Sequence, residues 1–156
     1  MSNTLPDAPK VRIIPPLVYL AGLVIGLLVG RWFPTALLPA TLAWPVGGIL
    51  IVAGLGLMAS AVSKFRSHGT TIRPDRAAST LIVDFPYTLT RNPMYVGLAV
   101  IYLGITIAAQ SLWALILLPV VLLIIQRGAI EKEEAFLEQR FGADYAQFKS
   151  RVRRWL

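Results

Sequence analysis

The chain has 156 residues, of which 56% are hydrophobic and only 15% are charged, and its formal net charge is +7. Soluble domains carry about a quarter charged residues and disordered chains are poor in apolar residues. The composition therefore excludes both classes and predicts one domain in lipid. The absence of cysteine and the single histidine exclude disulfides, a cysteine nucleophile and thiolate or multi-histidine metal sites.

Four apolar segments are predicted to cross the membrane, because a spanning helix needs about 20 mainly apolar residues. They cover about residues 13–30, 42–62, 93–109 and 112–126. The first is interpreted as a span rather than a signal peptide, since its apolar stretch is long and no clear cleavage site follows it. The third is short, so we expect it to tilt or to be sheltered by protein. The predicted fold class is an all-α polytopic membrane protein with about four transmembrane helices.

Basic residues are concentrated at the N-terminus, in the loop 63–92 and in the tail 127–156. Residues 31–41 carry only Arg31, and the turn 108–111 is uncharged. The positive-inside rule therefore predicts that both termini are cytoplasmic, and we expect a prokaryotic inner membrane. Because orientation explains the charge, a nucleic-acid partner is not predicted. Amphipathic helices of the tail and the cytoplasmic loop are predicted to form the site.

Glycines recur within the first two spans. Gly22, Gly26 and Gly30 repeat every four residues, a spacing that favours close helix packing, within one chain or between chains. Gly54 and Gly56 have the same interpretation, because they lack the strand–turn–helix setting of a dinucleotide-binding motif.

The loop before the third span contains turn and cap signals. Gly69 and Pro74 predict a turn. Pro93 suits the first turn of the third helix, with Asn92 as its N-cap. The free N–H groups at that helix start suit a carboxylate or phosphate, although a plain helix cap with Arg91 at the lipid headgroups explains the same residues.

An acidic cluster of Glu131, Glu133 and Glu134 opens the tail. One explanation is a solvated helix start whose dipole is compensated by negative charge. The other is a site in which a carboxylate pairs with Arg91 or Arg127, or binds ribose hydroxyls or an amine. The residues alone leave both explanations open.

The tail is predicted to end in a second short helix after Gly142, which serves as a left-handed cap. An apolar stripe on this helix is flanked by arginines and a lysine, and is typical of an interfacial helix on anionic headgroups. The stripe consists of Tyr145, Phe148, Val152 and Trp155.

Two motifs flank the apolar hairpin of the third and fourth spans. They read Arg91-Asn92-Pro93-Met94-Tyr95 and Glu133-Glu134-x-x-Leu137-x-x-x-Phe141-Gly142-x-x-Tyr145. In order and spacing they resemble the integral-membrane methyltransferases, which include isoprenylcysteine carboxyl methyltransferases and phospholipid N-methyltransferases. The resemblance covers residues 64–156, and it implies S-adenosylmethionine as the methyl donor.

The resemblance also implies which residues form the site. By position, it implies that the cofactor is bound by Thr80, Leu81, Ile82, Tyr87, Asn92, Pro93, Met94, Tyr95 and Glu133. An arginine before the glutamates contacts substrate in the carboxyl methyltransferases. Arg127 is the nearest candidate in this sequence, although its spacing to the glutamates differs from the spacing in the family. The chemistry of the acceptor adds two roles: a nearby arginine would steer a carboxylate, and Glu133 or Glu134 would serve as base for an amine. The predicted catalytic residues are Arg91, Arg127 and Glu134.

The sequence departs from this family at two positions. Asn92 stands where the family often has histidine, and since an amide does not titrate, a general base is not expected there. Phe85 replaces the usual glycine before the turn and is expected to narrow or reshape the pocket rim.

The predicted function is methyl transfer to a lipid-like acceptor, an isoprenylcysteine-type carboxylate or a related group. Such an in-line displacement mainly needs positioning and exclusion of water. The first alternative is an N-methyltransferase for a phospholipid amine. A membrane reductase is a further alternative, because sterol reductases resemble this family in their C-terminal halves. Binding of a nicotinamide cofactor would distinguish a reductase from a methyltransferase. In a non-enzymatic scaffold the motifs would serve only as caps and ion pairs. Expected partners are a lipid-like or prenylated substrate and membrane lipids.

Overall fold

The computed structural model describes Pro9, Val11, residues 13–67 and residues 80–156. These residues form helices joined by turns, without a β-strand, which confirms the all-α prediction. The helices are α1 (Pro15–Trp32), α2 (Ala40–Ser67), α3 (Pro93–Ala108), α4 (Leu112–Ile125), α5 (Glu131–Phe141) and α6 (Ala143–Arg151). A π-helical turn, Gln126–Ile130, joins α4 to α5. The predicted turn at Gly69 and Pro74 lies outside the described residues.

Three of the helical stretches are long and apolar enough to cross a bilayer. They are α1, α2 and the continuous helix Leu112–Phe141, whose apolar part is α4. The shorter apolar helix α3 has 16 residues. It packs against α1, α2 and α4, so protein shelters this short segment as expected.

Small residues allow two helix pairs to pack closely, α1 with α4 and α2 with α3. A Cβ atom added to Gly26 would lie 2.3 Å from the Cα atom of Ala114. One added to Gly54 would lie 2.7 Å from the carbonyl oxygen of Gly97. The packing interpretation is confirmed within one chain for Gly22, Gly26, Gly30 and Gly54. Within the described part of one chain it does not hold for Gly56, around which a Cβ atom would meet nothing within 4 Å.

The acidic residues of α5 do not stand at an exposed helix N-terminus. Ile130, which precedes the helix, is itself helical, and the π-helical turn continues directly into Glu131. Because the preceding turn occupies the start of α5, compensation of a helix dipole does not explain the cluster. Glu131 and Glu134 pair with arginines instead, whereas Glu133 pairs with none in the described part of the chain.

Helix α6 packs its aromatic residues against protein. Tyr145 and Phe148 are 1% and 8% exposed, and they share a core cluster with Ala61, Ile82 and Tyr87. The predicted contact of this stripe with lipid headgroups is therefore wrong, because the loop before α3 and the end of α2 supply the apolar surface that covers it. Gly142, between α5 and α6, has a positive φ of 49°, as a glycine cap requires.

Candidate functional site

A cavity of about 400 Å³ lies where the loop 80–92 meets the starts of α1, α3, α5 and α6. Every predicted cofactor residue lines it: Thr80, Leu81, Ile82, Tyr87, Asn92, Pro93, Met94, Tyr95 and Glu133. Arg91 and Glu134 line it as well. Arg127 is exposed on the π-helical turn and is not among the residues that line the cavity.

A tight turn directs Tyr87 into the cavity. Its N–H group donates to the carbonyl of Asp84 at 2.7 Å, and its ring meets Phe65 edge-on with centroids 6.0 Å apart. Phe85 has the opposite orientation, since it is 56% exposed and does not line the cavity. The expectation that Phe85 narrows the rim is therefore wrong.

Helix α3 begins at the cavity wall with Pro93 in its first turn. Asn92 occupies the N-cap position, but its side chain makes no capping bond. Its Nδ2 atom instead donates to the carbonyl oxygen of Arg154 at 2.9 Å. The N-cap prediction is therefore right for the position and wrong for the side chain. The first N–H groups of the helix, at Met94 and Tyr95, have no partner within the helix.

Glu133 and Tyr95 meet across the cavity. The Tyr95 hydroxyl donates to Oε1 of Glu133 at 2.6 Å, and the Tyr19 hydroxyl of α1 donates to the Tyr95 carbonyl at 3.0 Å. Burial raises the pKa of the Glu133 carboxyl above its ordinary value, the Tyr95 hydrogen bond opposes this shift, and the charge of Glu134 adds to it. Burial, together with the charge of Glu133, also raises the pKa of Tyr87.

No basic side chain among the described residues pairs with Glu133. An ionised carboxylate away from water is costly unless a cation or hydrogen-bond donors compensate it. The single hydrogen bond from Tyr95 is only part of that compensation. The cavity therefore offers a carboxylate that would be stabilised by a positively charged ligand.

Glu134 also lines the cavity, but its carboxylate is paired with arginines. Both of its oxygens accept from the guanidinium of Arg154, at 3.1 Å from Nε and 2.7 Å from Nη2. Arg91 pairs with the same carboxylate at 3.2 Å, which confirms the predicted pairing of Arg91 with a tail glutamate. Two arginines thus occupy the carboxylate of Glu134, whereas the carboxylate of Glu133 accepts from Tyr95 and has no basic partner among the described residues.

Part of the cavity lining is apolar. It includes side chains from α2, α3, α5 and the residues just before α1, namely Ile13, Ile14, Met58, Leu98 and Phe136. Sequence reasoning did not identify these residues, because an apolar residue in a span has the same signature whether it faces lipid or a cavity. The polar and apolar side chains of the lining together suit an amphipathic ligand.

Comparison with known proteins gives one family. The phospholipid methyltransferase family (PEMT) matches residues 42–144, which include every predicted cofactor residue. An uncharacterized protein of Haemophilus influenzae is 36% identical over 63 residues, which are 40% of this chain and 100% of that protein. No solved structure matches the chain significantly.

Proposed function

The chain belongs to the phospholipid methyltransferase family, and from this premise we propose that it transfers a methyl group from S-adenosylmethionine to a lipid-like acceptor. The distribution of basic segments supports a reaction at the cytoplasmic face, with both termini on that side. The observation that carries the proposal is Glu133, a carboxylate in the cavity without a basic partner among the described residues.

The residues of the cavity fit this cofactor. When bound, S-adenosylmethionine supplies an electrophilic methyl group on a positively charged sulfonium. Glu133 would hold a positively charged group of the cofactor, since its carboxylate lacks a basic partner in the described part of the chain. The N–H groups of Met94 and Tyr95, which have no acceptor within the helix, would bind a carboxylate at the positive end of α3. Ile82 and Tyr87 would give apolar surface to a purine ring.

The apolar side chains of the cavity support a lipid-like acceptor. Met58 and Leu98 are among them, and they would hold an acyl or prenyl chain while the reacting group faces the methyl donor. We propose an isoprenylcysteine-type carboxylate, or a related carboxylate, as the acceptor. It is already nucleophilic at neutral pH, so the chain would only need to position it and exclude water.

A phospholipid amine is the second candidate acceptor. The description of the matched family favours it, and so does the position of Glu133. An amine must lose a proton before it attacks a methyl group, and Glu133 would take that proton as a general base. Arg91, held by Glu134 at 3.2 Å, would in that case orient the phosphate rather than a carboxylate.

Incubation of purified protein with methyl-labelled S-adenosylmethionine and extracted lipids tests the function and separates the two acceptors. Label should appear in a lipid product. Alkali would release the label as methanol from a methyl ester, whereas an N-methyl group would keep it. Label found only in a soluble molecule or a protein would contradict the lipid acceptor, and the absence of transfer would favour a scaffold.

Cofactor affinity is expected to fall as the pH is lowered. Because burial raises the pKa of Glu133 above 4.5, its carboxylate takes up a proton at a higher pH than an exposed glutamate. Above that raised pKa the carboxylate is charged and attracts a cation. Below that pKa the group is neutral and this attraction is lost. Binding of labelled cofactor between about pH 8 and pH 5 measures this loss.

The matched control is Glu133→Gln, which keeps an acceptor for Tyr95 and removes the titrating group. Its dissociation constant should change over the same pH range only through titration of the cofactor itself. Identical pH profiles for the wild type and this variant would show that Glu133 does not bind the cation.

A further inference from the structure

The last residues of the chain, Val152–Leu156, form a strap across the start of α3. The carbonyl oxygen of Arg154 accepts from the Thr90 hydroxyl at 3.0 Å and from Asn92 at 2.9 Å. The carbonyl oxygen of Arg153 accepts from the backbone N–H of Arg91 at 3.0 Å. Three consecutive residues before α3 are thus hydrogen-bonded to the strap.

Side chains of the strap continue these contacts to the other cavity wall. The guanidinium of Arg154 donates two hydrogen bonds to Glu134 on α5, a geometry that fixes direction as well as distance. The indole of Trp155 donates to Gln126 on the π-helical turn at 3.1 Å. The strap therefore joins the loop before α3 to α5 and to the turn that precedes it.

The two walls have few other connections. The backbones of α3 and α5 make little close contact, and inside the cavity the hydrogen bond from Tyr95 to Glu133 joins these helices. In addition, Arg91 and Arg154 share the carboxylate of Glu134. Because Glu133 and Glu134 are neighbours on α5, a contact that holds Glu134 also restrains the backbone that carries Glu133.

We propose that the strap, through Arg154, is a positioning element of the cofactor site. It sets the separation of Asn92 on one wall from Glu133 on the other, so that both face a ligand in the cavity. The inference rests on the proposed function. The family match ends at residue 144, before the strap begins. Arg154 is not among the residues that line the cavity, and it would act through Glu134 and through the residues before α3.

Binding of labelled S-adenosylmethionine to the detergent-purified full chain, with turnover measured alongside, tests this role. Arg154→Met removes the guanidinium but keeps the backbone carbonyl, and Arg154→Lys keeps the charge without the paired donors. We expect Arg154→Met to raise the dissociation constant about tenfold, the effect of losing one charge-assisted pair, with Arg154→Lys between it and the wild type. Arg151→Met, an exposed arginine of α6, is the matched control and should bind normally.

Kinetics distinguish positioning from a general loss of stability. Positioning predicts a higher KM for the cofactor, with kcat at saturation changed less than about threefold. A merely structural role would lower the folded fraction and so kcat, while the remaining folded protein kept its KM. Deletion of residues 152–156 removes the backbone contacts too, and should raise the dissociation constant further than Arg154→Met.

The outcomes separate the inference from the proposed function. Cofactor binding by the wild type with equal binding by folded Arg154→Met and by the deletion variant would overturn the inference alone. Absence of binding by the folded wild type would overturn both. If Arg154→Met does not fold, Arg154→Lys and Trp155→Phe decide, and unchanged affinity in both overturns the inference.

Discussion

Glu133→Ala is expected to raise the dissociation constant for S-adenosylmethionine about 100-fold, which corresponds to about 2.7 kcal/mol. The variant removes the negative charge that faces the cavity, and it leaves the Tyr95 hydroxyl without its acceptor. Loss of one partner from a buried charged pair typically costs a few kcal/mol. Equilibrium binding of labelled cofactor to detergent-purified protein measures the change.

Glu138→Ala is the matched control for this variant. Glu138 is on the same helix as Glu133, but it is exposed and pairs with Lys149 at the surface. Its removal should leave cofactor binding unchanged. Normal binding by folded Glu133→Ala would show that the cavity does not use this carboxylate.

Gly54→Leu is expected to disrupt the packing of α2 against α3. A Cβ atom at this position would lie 2.7 Å from the carbonyl oxygen of Gly97 and 3.0 Å from the backbone nitrogen of Ile101. Backbone atoms of a neighbouring helix cannot rotate away, so the helices must separate. We expect a loss of about 3 kcal/mol, near the upper end for overpacked cores. The thermal midpoint in detergent and the yield of monodisperse protein measure it.

Gly56→Leu is the control on the same helix, because no atom of the described residues lies within 4 Å of an added Cβ atom there. It should fold as the wild type does, and replacing a helical glycine should favour the helix slightly. Equal stability of the Gly54 and Gly56 variants would contradict the packing of α2 on α3.

Much of the fold follows from sequence signals that act locally. Long apolar runs bounded by charge predict the spanning helices, and Pro93 predicts where α3 begins. Glycine spacing at Gly22, Gly26 and Gly30 predicts which face of α1 packs. These signals depend on neighbouring residues, so one chain without relatives is enough to read them.

The candidate site was predictable only as far as its two motifs extend. The motif residues around Asn92 and Glu133 do line one cavity. The separate environments of Glu133 and Glu134 were not predictable, because adjacent glutamates on a helix look equivalent until the neighbouring helices are placed. Tertiary contacts give Glu134 two arginines and leave Glu133 facing the cavity.

The strap was missed for a related reason. A basic C-terminus already has an explanation in membrane orientation, so nothing in the sequence distinguishes Arg154 from Arg151 or Arg153. Likewise, an amphipathic stripe has the same periodicity whether it faces headgroups or protein. Only the fold shows that Tyr145 and Phe148 are buried beside the loop before α3.

Equilibrium binding of labelled S-adenosylmethionine to the folded wild-type chain in detergent tests the central claim most directly. We predict saturable binding, stoichiometric with the chain, that S-adenosylhomocysteine displaces and that the Glu133→Ala variant loses. The absence of saturable binding to folded wild-type protein would contradict the assignment of this cavity as a methyl-donor site.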